Sequence, residues 1–177
     1  ILTPVNMEVL DTKILTIQDL HNSMEGATTT SMKDFLIYGS LQWDNAMVGQ
    51  PYRANAAAFI FCTQGSATIS AGLREFSMHK NTVMLYGPGN IINVVDKSND
   101  FTVRVMLFSR EFTHGALLDI NAVIPVFRYL MEETNDLLEL NDTEASAIDD
   151  FFSLALKLAD VDNNAITVHL LSAMFLT

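Results

Sequence analysis

The sequence predicts a mainly β domain, a small barrel or sandwich, closed at its C-terminal end by a helical hairpin. Three observations carry this. Between residues 51 and 112 short extended runs alternate with Gly, Pro, Asn or Asp punctuation every 8–12 residues. Residues 57–63 are apolar at both odd and even positions, with Ala57, Phe59 and Phe61 on one face and Ala58, Ile60 and Cys62 on the other. Such a strand is covered on both faces and therefore central. Beyond Asn141 the period lengthens from that of a strand to that of a helix.

Taken in order, residues 1–13 show no period and read as an arm. Thr16 with Asp19 ahead of Leu20 is a cap followed by an acid at the third helical position, so a short helix is expected over 17–25. Gly26 ends it. Strands are expected at 34–38 and, raggedly, at 41–48. Then come extended runs at 57–63, 67–71, 74–78, 82–86, 91–95 and 101–108. Their turns are Gln64-Gly65, Gly72-Leu73, His79 to Asn81, Gly87-Pro88-Gly89-Asn90 and Asp96 to Asp100. In the last run Phe101, Val103, Val105 and Leu107 form a core face, and Thr102 and Arg104 mark the other as mixed.

Residues 109–118 read as one helical turn and a loop, and 125–132 fit either a short helix or a strand. Asn141 with Glu144 is the strongest cap in the chain. The helix after it places Ile148, Phe151, Phe152, Ala155, Leu158 and Ala159 on one face, with Asp149, Asp150 and Lys157 pointing away. After Asp162-Asn163-Asn164 a second helix, over 165–176, completes an antiparallel hairpin. It is more apolar than one neighbour can cover, which makes Leu170, Leu171, Met174 and Phe175 the candidate homodimer interface. The expected organisation is an arm and short helix over 1–33, a barrel over 34–112 and a helical dimerisation segment over 113–177. The apolar last helix has no stop signal, so a further domain is expected to follow it.

Composition narrows the function. Against 10 basic residues stand 21 acidic ones, a formal charge of −11 that repels phosphate, so this chain is not expected to bind nucleic acid itself. The one cysteine, Cys62, lies in the most apolar strand and fits a reducing compartment. No run reaches the ~18 apolar residues of a membrane span. The N-terminal residues lack the order of a signal peptide, and a cytoplasmic location is expected.

Chemistry is sparse. His21, His79, His114 and His169 show no ligand spacing, so no metal or other cofactor is expected. The serines lack a nucleophile motif, and Gly87-Pro88-Gly89-Asn90 precedes a strand rather than a helix, so it is a turn and not a phosphate loop. No enzymatic activity is predicted. A ligand held in the barrel would meet Tyr52, Arg53, Tyr86, Asn93, Arg104 and Trp43, with Arg53 at the mouth.

The ordered set Pro51-Tyr52-Arg53, Phe59-Ile60-Phe61-Cys62-Thr63-Gln64-Gly65, Arg74-Glu75-Phe76, Val83-Met84-Leu85-Tyr86-Gly87-Pro88-Gly89-Asn90 and the run 101–108 resembles the N-terminal regulatory domain of AraC-type bacterial transcription regulators. With the trailing helices the resemblance spans roughly 14–177. It implies a cupin-like double-stranded β-barrel that binds a small-molecule effector, a helix pair that forms a homodimer, and DNA contact only through a helix-turn-helix domain absent from this chain.

Metal-dependent cupins carry histidines where this chain has Asn55, Ala56, Ala57 and Ala58, and again where it has Ile91, Ile92 and Asn93, so the resemblance implies no metal centre. Sugar-responsive members carry polar groups where Val94, Val103 and Val105 stand. Valines leave sugar hydroxyls unpaired at about 1–3 kcal/mol each. The expectation is an apolar effector anchored by Arg53, against Val103 and Val105, or a lumen filled by its own side chains. The alternatives are a stand-alone cupin-like enzyme or carbohydrate-binding module, and a purely structural dimerisation domain.

Overall fold

The computed structural model describes residues 12–23, 29–32, 35–109 and 137–159. Its order is β1 (Lys13–Leu15), α1 (Ile17–Ser23), β2 (Thr29–Met32), β3 (Phe35–Gln42), a 3-10 turn (Asn45–Met47) and β4 (Tyr52–Ala54). There follow β5 (Ala56–Gln64), β6 (Ser66–Ala71), β7 (Arg74–His79), β8 (Thr82–Tyr86), β9 (Ile91–Lys97) and β10 (Thr102–Ser109). The last described elements are β11 (Leu137–Glu139) and helix α2 (Asp142–Ala159).

Two sheets form, in the orders β1-β4-β9-β6-β7 and β11-β8-β5-β10-β3-β2. From β3 to β10 the chain passes back and forth between them, leaving β3-β10-β5-β8 facing β4-β9-β6-β7, all antiparallel. This is the eight-stranded jelly roll of cupin-like domains. β5 lies centrally in the larger sheet, as its two apolar faces require.

Each face of that sheet has a separate partner. Inward, Leu36, Tyr38, Ala58, Ile60, Cys62, Met84, Val103, Val105 and Leu107 join side chains of the smaller sheet in one buried cluster. Outward, Phe35, Ile37, Phe59, Phe61, Val83, Met106 and Phe108 are covered by Ala145, Phe152 and Ala155 of α2. The Phe152 ring sits 5.8 Å from Phe59 and 6.4 Å from Phe61, centroid to centroid. Burying that side chain contributes roughly 1.5–3 kcal/mol.

The two caps form as expected. Thr16 N–H donates to Asp19 Oδ2 (2.9 Å) and Asp19 N–H to Thr16 Oγ1 (3.1 Å). At α2, Asn141 Oδ1 accepts from Thr143 and Glu144 N–H (both 3.0 Å), while Glu144 Oε2 accepts from Asn141 N–H (2.9 Å).

Four expectations change. No strand runs over 41–48: β3 stops at Gln42, and Asp44 Oδ1 accepts from Ala46 N–H (2.9 Å), winding the 3-10 turn instead. Short strands form where none was expected, β1 pairing in parallel with β4 and β2 antiparallel with β3. Leu137–Glu139 adds an edge strand beside β8. Asp149 does not point away from the sheet; its carboxylate meets Arg104 of β10. The second helix of the hairpin, the segments 109–118 (past Ser109) and 125–132, and the interface residues Leu170, Leu171, Met174 and Phe175 lie outside the described residues. Among the described residues no helix is long and apolar enough to cross a membrane.

Candidate ligand-binding lumen

The space between the sheets is lined by alternate residues of seven strands, β3 to β6 and β8 to β10, together with Met78 of β7. Val94, Val103 and Val105 all face it, as their parity predicts. The lining is aliphatic and small at Ala54, Ala58 and Ala67, and adaptable at Met78 and Met84. Leu15 of β1 and Leu20 of α1 add to the same cluster.

Polar atoms within this lining are few, and most are satisfied. The side chains of Tyr52 and Tyr86, one from each sheet, hydrogen-bond to each other. Burial pushes the Tyr86 phenol up to about 12 and Tyr52 well above the usual phenol range, the neighbouring Tyr86 adding to the second effect. Tyr38, fully buried, places its hydroxyl 3.4 Å from His21 Nδ1 of α1, and burial pushes it up to about 12. The Cys62 thiol, pushed up to about 11 by burial, donates to the Gln64 carbonyl at 3.4 Å. Trp43 differs: only 5% of it is exposed, and its indole N–H has no hydrogen-bond partner.

Three expected ligand contacts stand elsewhere. Arg53 is exposed and lies between Tyr52 and Ala54, both of which face the lumen, so the strand's alternation turns the guanidinium to the outer face of the smaller sheet. It is not placed to anchor a ligand inside. Asn93 alternates in the same way with the inward Ile92 and Val94; its Oδ1 is buried without a partner on that outer side. Arg104 also faces outward, to α2, with Nε 3.0 Å from Asp149 Oδ1 and Nη1 3.2 Å from Ser153 Oγ.

Tyr38 and its contact with α1 escaped the sequence reading, although Tyr38 shares its parity with Leu36. A shift in the β10–β3 register between Val103 and Val105 obscured the pattern, since it lets both Tyr38 and Leu41 turn inward. Among the described residues no group of three or more His, Cys, Asp or Glu side chains converges as metal ligands would. His79 instead meets Glu139 of β11 on the surface, Nε2 to Oε1 3.4 Å.

No protein-family model and no curated protein matches the sequence. Among solved structures, an apo ToxT variant from Vibrio cholerae strain SCE256 is similar at 14% identity with a TM-score of 0.48, over 82% of this chain and 54% of that one. ToxT from Vibrio cholerae O395 bound to (E)-4-(8-methylnaphthalen-1-yl)but-3-enoic acid gives 14% and 0.43, over 81% and 54%. A cupin superfamily protein from Desulfitobacterium hafniense DCB-2 gives 12% and 0.35, over 45% and 71%. The chain spans about half the length of ToxT.

Proposed function

We propose that this chain is the effector-sensing and dimerising domain of an AraC-like transcription regulator, a protein that binds a small molecule without transforming it. One observation carries the reading. β10 lines the lumen through Val103 and Val105, and between them it presents Arg104 to α2 on the opposite side of the sheet. A change in lumen contents that shifts β10 therefore shifts the anchor of the helix. The family motifs read from the sequence support the same assignment.

In this reading the protein is cytoplasmic and pairs with a second copy through Leu170, Leu171, Met174 and Phe175. It reaches DNA only through another domain. A thermal-shift screen of sugars, aromatic acids, fatty acids and neutral ketones, combined with analytical ultracentrifugation at micromolar concentration, tests it. At least one small molecule is expected to raise the melting temperature, and the species is expected to be a dimer. A strictly monomeric chain stabilised by nothing in the screen contradicts the proposal.

A further inference from the structure

Among the described residues, the inner cluster holds a buried hydrogen-bond donor without a partner. Trp43 follows β3 and packs in the inner cluster, with only 5% of its surface exposed, and its Nε1–H meets no acceptor. A buried donor left without a partner is a net cost to folding and an attractive contact for any acceptor that reaches it. The other polar groups of this cluster have partners. Tyr52 donates to Tyr86, Tyr38 meets His21, and the Cys62 thiol donates to a backbone carbonyl.

The register separates Trp43 from the tyrosine pair. Leu41, two residues before Trp43, pairs with Val103, which pairs with Cys62, whereas Tyr86 pairs with Ala58. Four residues of β5 separate those levels, about 13 Å of strand. Trp43 therefore lies toward the Leu41, Cys62 and Val103 end of the cluster, away from the tyrosine pair.

Charge narrows the ligand further. Among the described residues no Asp, Glu, Lys or Arg is buried to neutralise an ion. An ionised carboxylate drawn into such a lining loses its hydration without compensation. A polyol would bring several hydroxyls to one free donor.

We propose that the effector is a neutral, largely apolar molecule carrying one strong acceptor oxygen, such as a ketone, which accepts from Trp43 Nε1–H inside the barrel. This rests on the sensor reading above and names the ligand class for that same lumen. Met78 and Met84, both fully buried in the lining, are the unbranched side chains able to change rotamer and make room.

Trp43 is the sole tryptophan, so a nitrogen-15 correlation spectrum of the intact chain contains a single indole N–H resonance. The probes are 2-heptanone, heptane, heptanoate and glucose. 2-Heptanone is expected to move the indole proton downfield and raise the melting temperature. Heptane should bind more weakly and leave that proton near its original position. Trp43→Phe keeps an aromatic ring and removes the donor; it should bind 2-heptanone roughly three- to tenfold more weakly. Circular dichroism checks that this variant folds, and the wild-type indole resonance needs no variant at all.

Binding of heptanoate or glucose without binding of 2-heptanone overturns the inference and leaves the sensor reading standing. So does ketone binding that leaves the indole proton unmoved. If no probe binds, the inference falls, and the wider screen with ultracentrifugation decides the sensor reading.

Discussion

Arg104 Nε lies 3.0 Å from Asp149 Oδ1, and its guanidinium carbon lies 5.9 Å from the centre of the Phe152 ring, so one side chain of β10 grips α2 by charge and by an aromatic face. The Nη1 donor also reaches Ser153 Oγ at 3.2 Å. The Arg104 side chain keeps 19% of its exposure and that of Asp149 44%, so solvent screens the pair partly but not fully. Arg104→Met and Asp149→Asn are each expected to lower stability by about 1–2 kcal/mol. The double variant should lose less than the sum of the two, with a coupling of about 1 kcal/mol in urea titrations. Additive losses would show that the pair does not hold the helix.

Gly65 tests the turn between β5 and β6. Its φ is +74°, and an added Cβ would come 2.7 Å from Phe101 Cα and 2.5 Å from Ser98 Oγ. Gly72 has φ +61° with nothing within 4 Å of an added Cβ. Gly72→Ala therefore costs only the left-handed backbone, about 1–2 kcal/mol. Gly65→Ala adds a backbone collision and should lower the melting temperature clearly more. Equal shifts for the two variants would contradict the close approach of Phe101.

The cap at α2 is similarly separable. Asn141→Ala removes the acceptor of two helical N–H groups and should cost about 1 kcal/mol, with Asn141→Ser restoring most of it. Chemical denaturation of the three proteins checks this. The helix rests on packing as well, so the variant is expected to stay folded.

These residues also show what the chain makes legible before folding. The central place of β5 followed from its two apolar faces, and Val94, Val103 and Val105 from parity, because alternation is a property of the strand alone. Caps and glycine turns are equally local. Arg53 was misplaced because the start of the three-residue β4 was unknown, and shifting a strand by one residue exchanges its faces. β1, β2 and β11 were missed because three or four residues hold strand geometry only once a neighbour supplies the hydrogen bonds. Asp149 looked solvated because its partner is 45 residues away in sequence.

The buried phenols and thiol set the alkaline limit of the fold. Tyr38 and Tyr86 are raised from 10.0 to about 12, and Cys62 from 9.0 to about 11, in each case first by burial. Below pH 9 both folded and unfolded chains keep these protons, so the groups impose no penalty. As pH rises through 9 and then 10, the unfolded chain releases them while the folded chain cannot, and stability falls toward pH 12. Phenolate absorbance and far-ultraviolet dichroism followed against pH are expected to change together for Tyr38, Tyr52 and Tyr86, because these three ionise only as the barrel opens. Tyr129, the one other tyrosine, lies outside the described residues, and Tyr129→Phe removes its share of the absorbance. Cys62 should likewise resist a thiol reagent at neutral pH until denaturant is added. Rapid labelling of the native protein, or ionisation of the three phenols with the dichroism intact, would mean that the lumen is open to water.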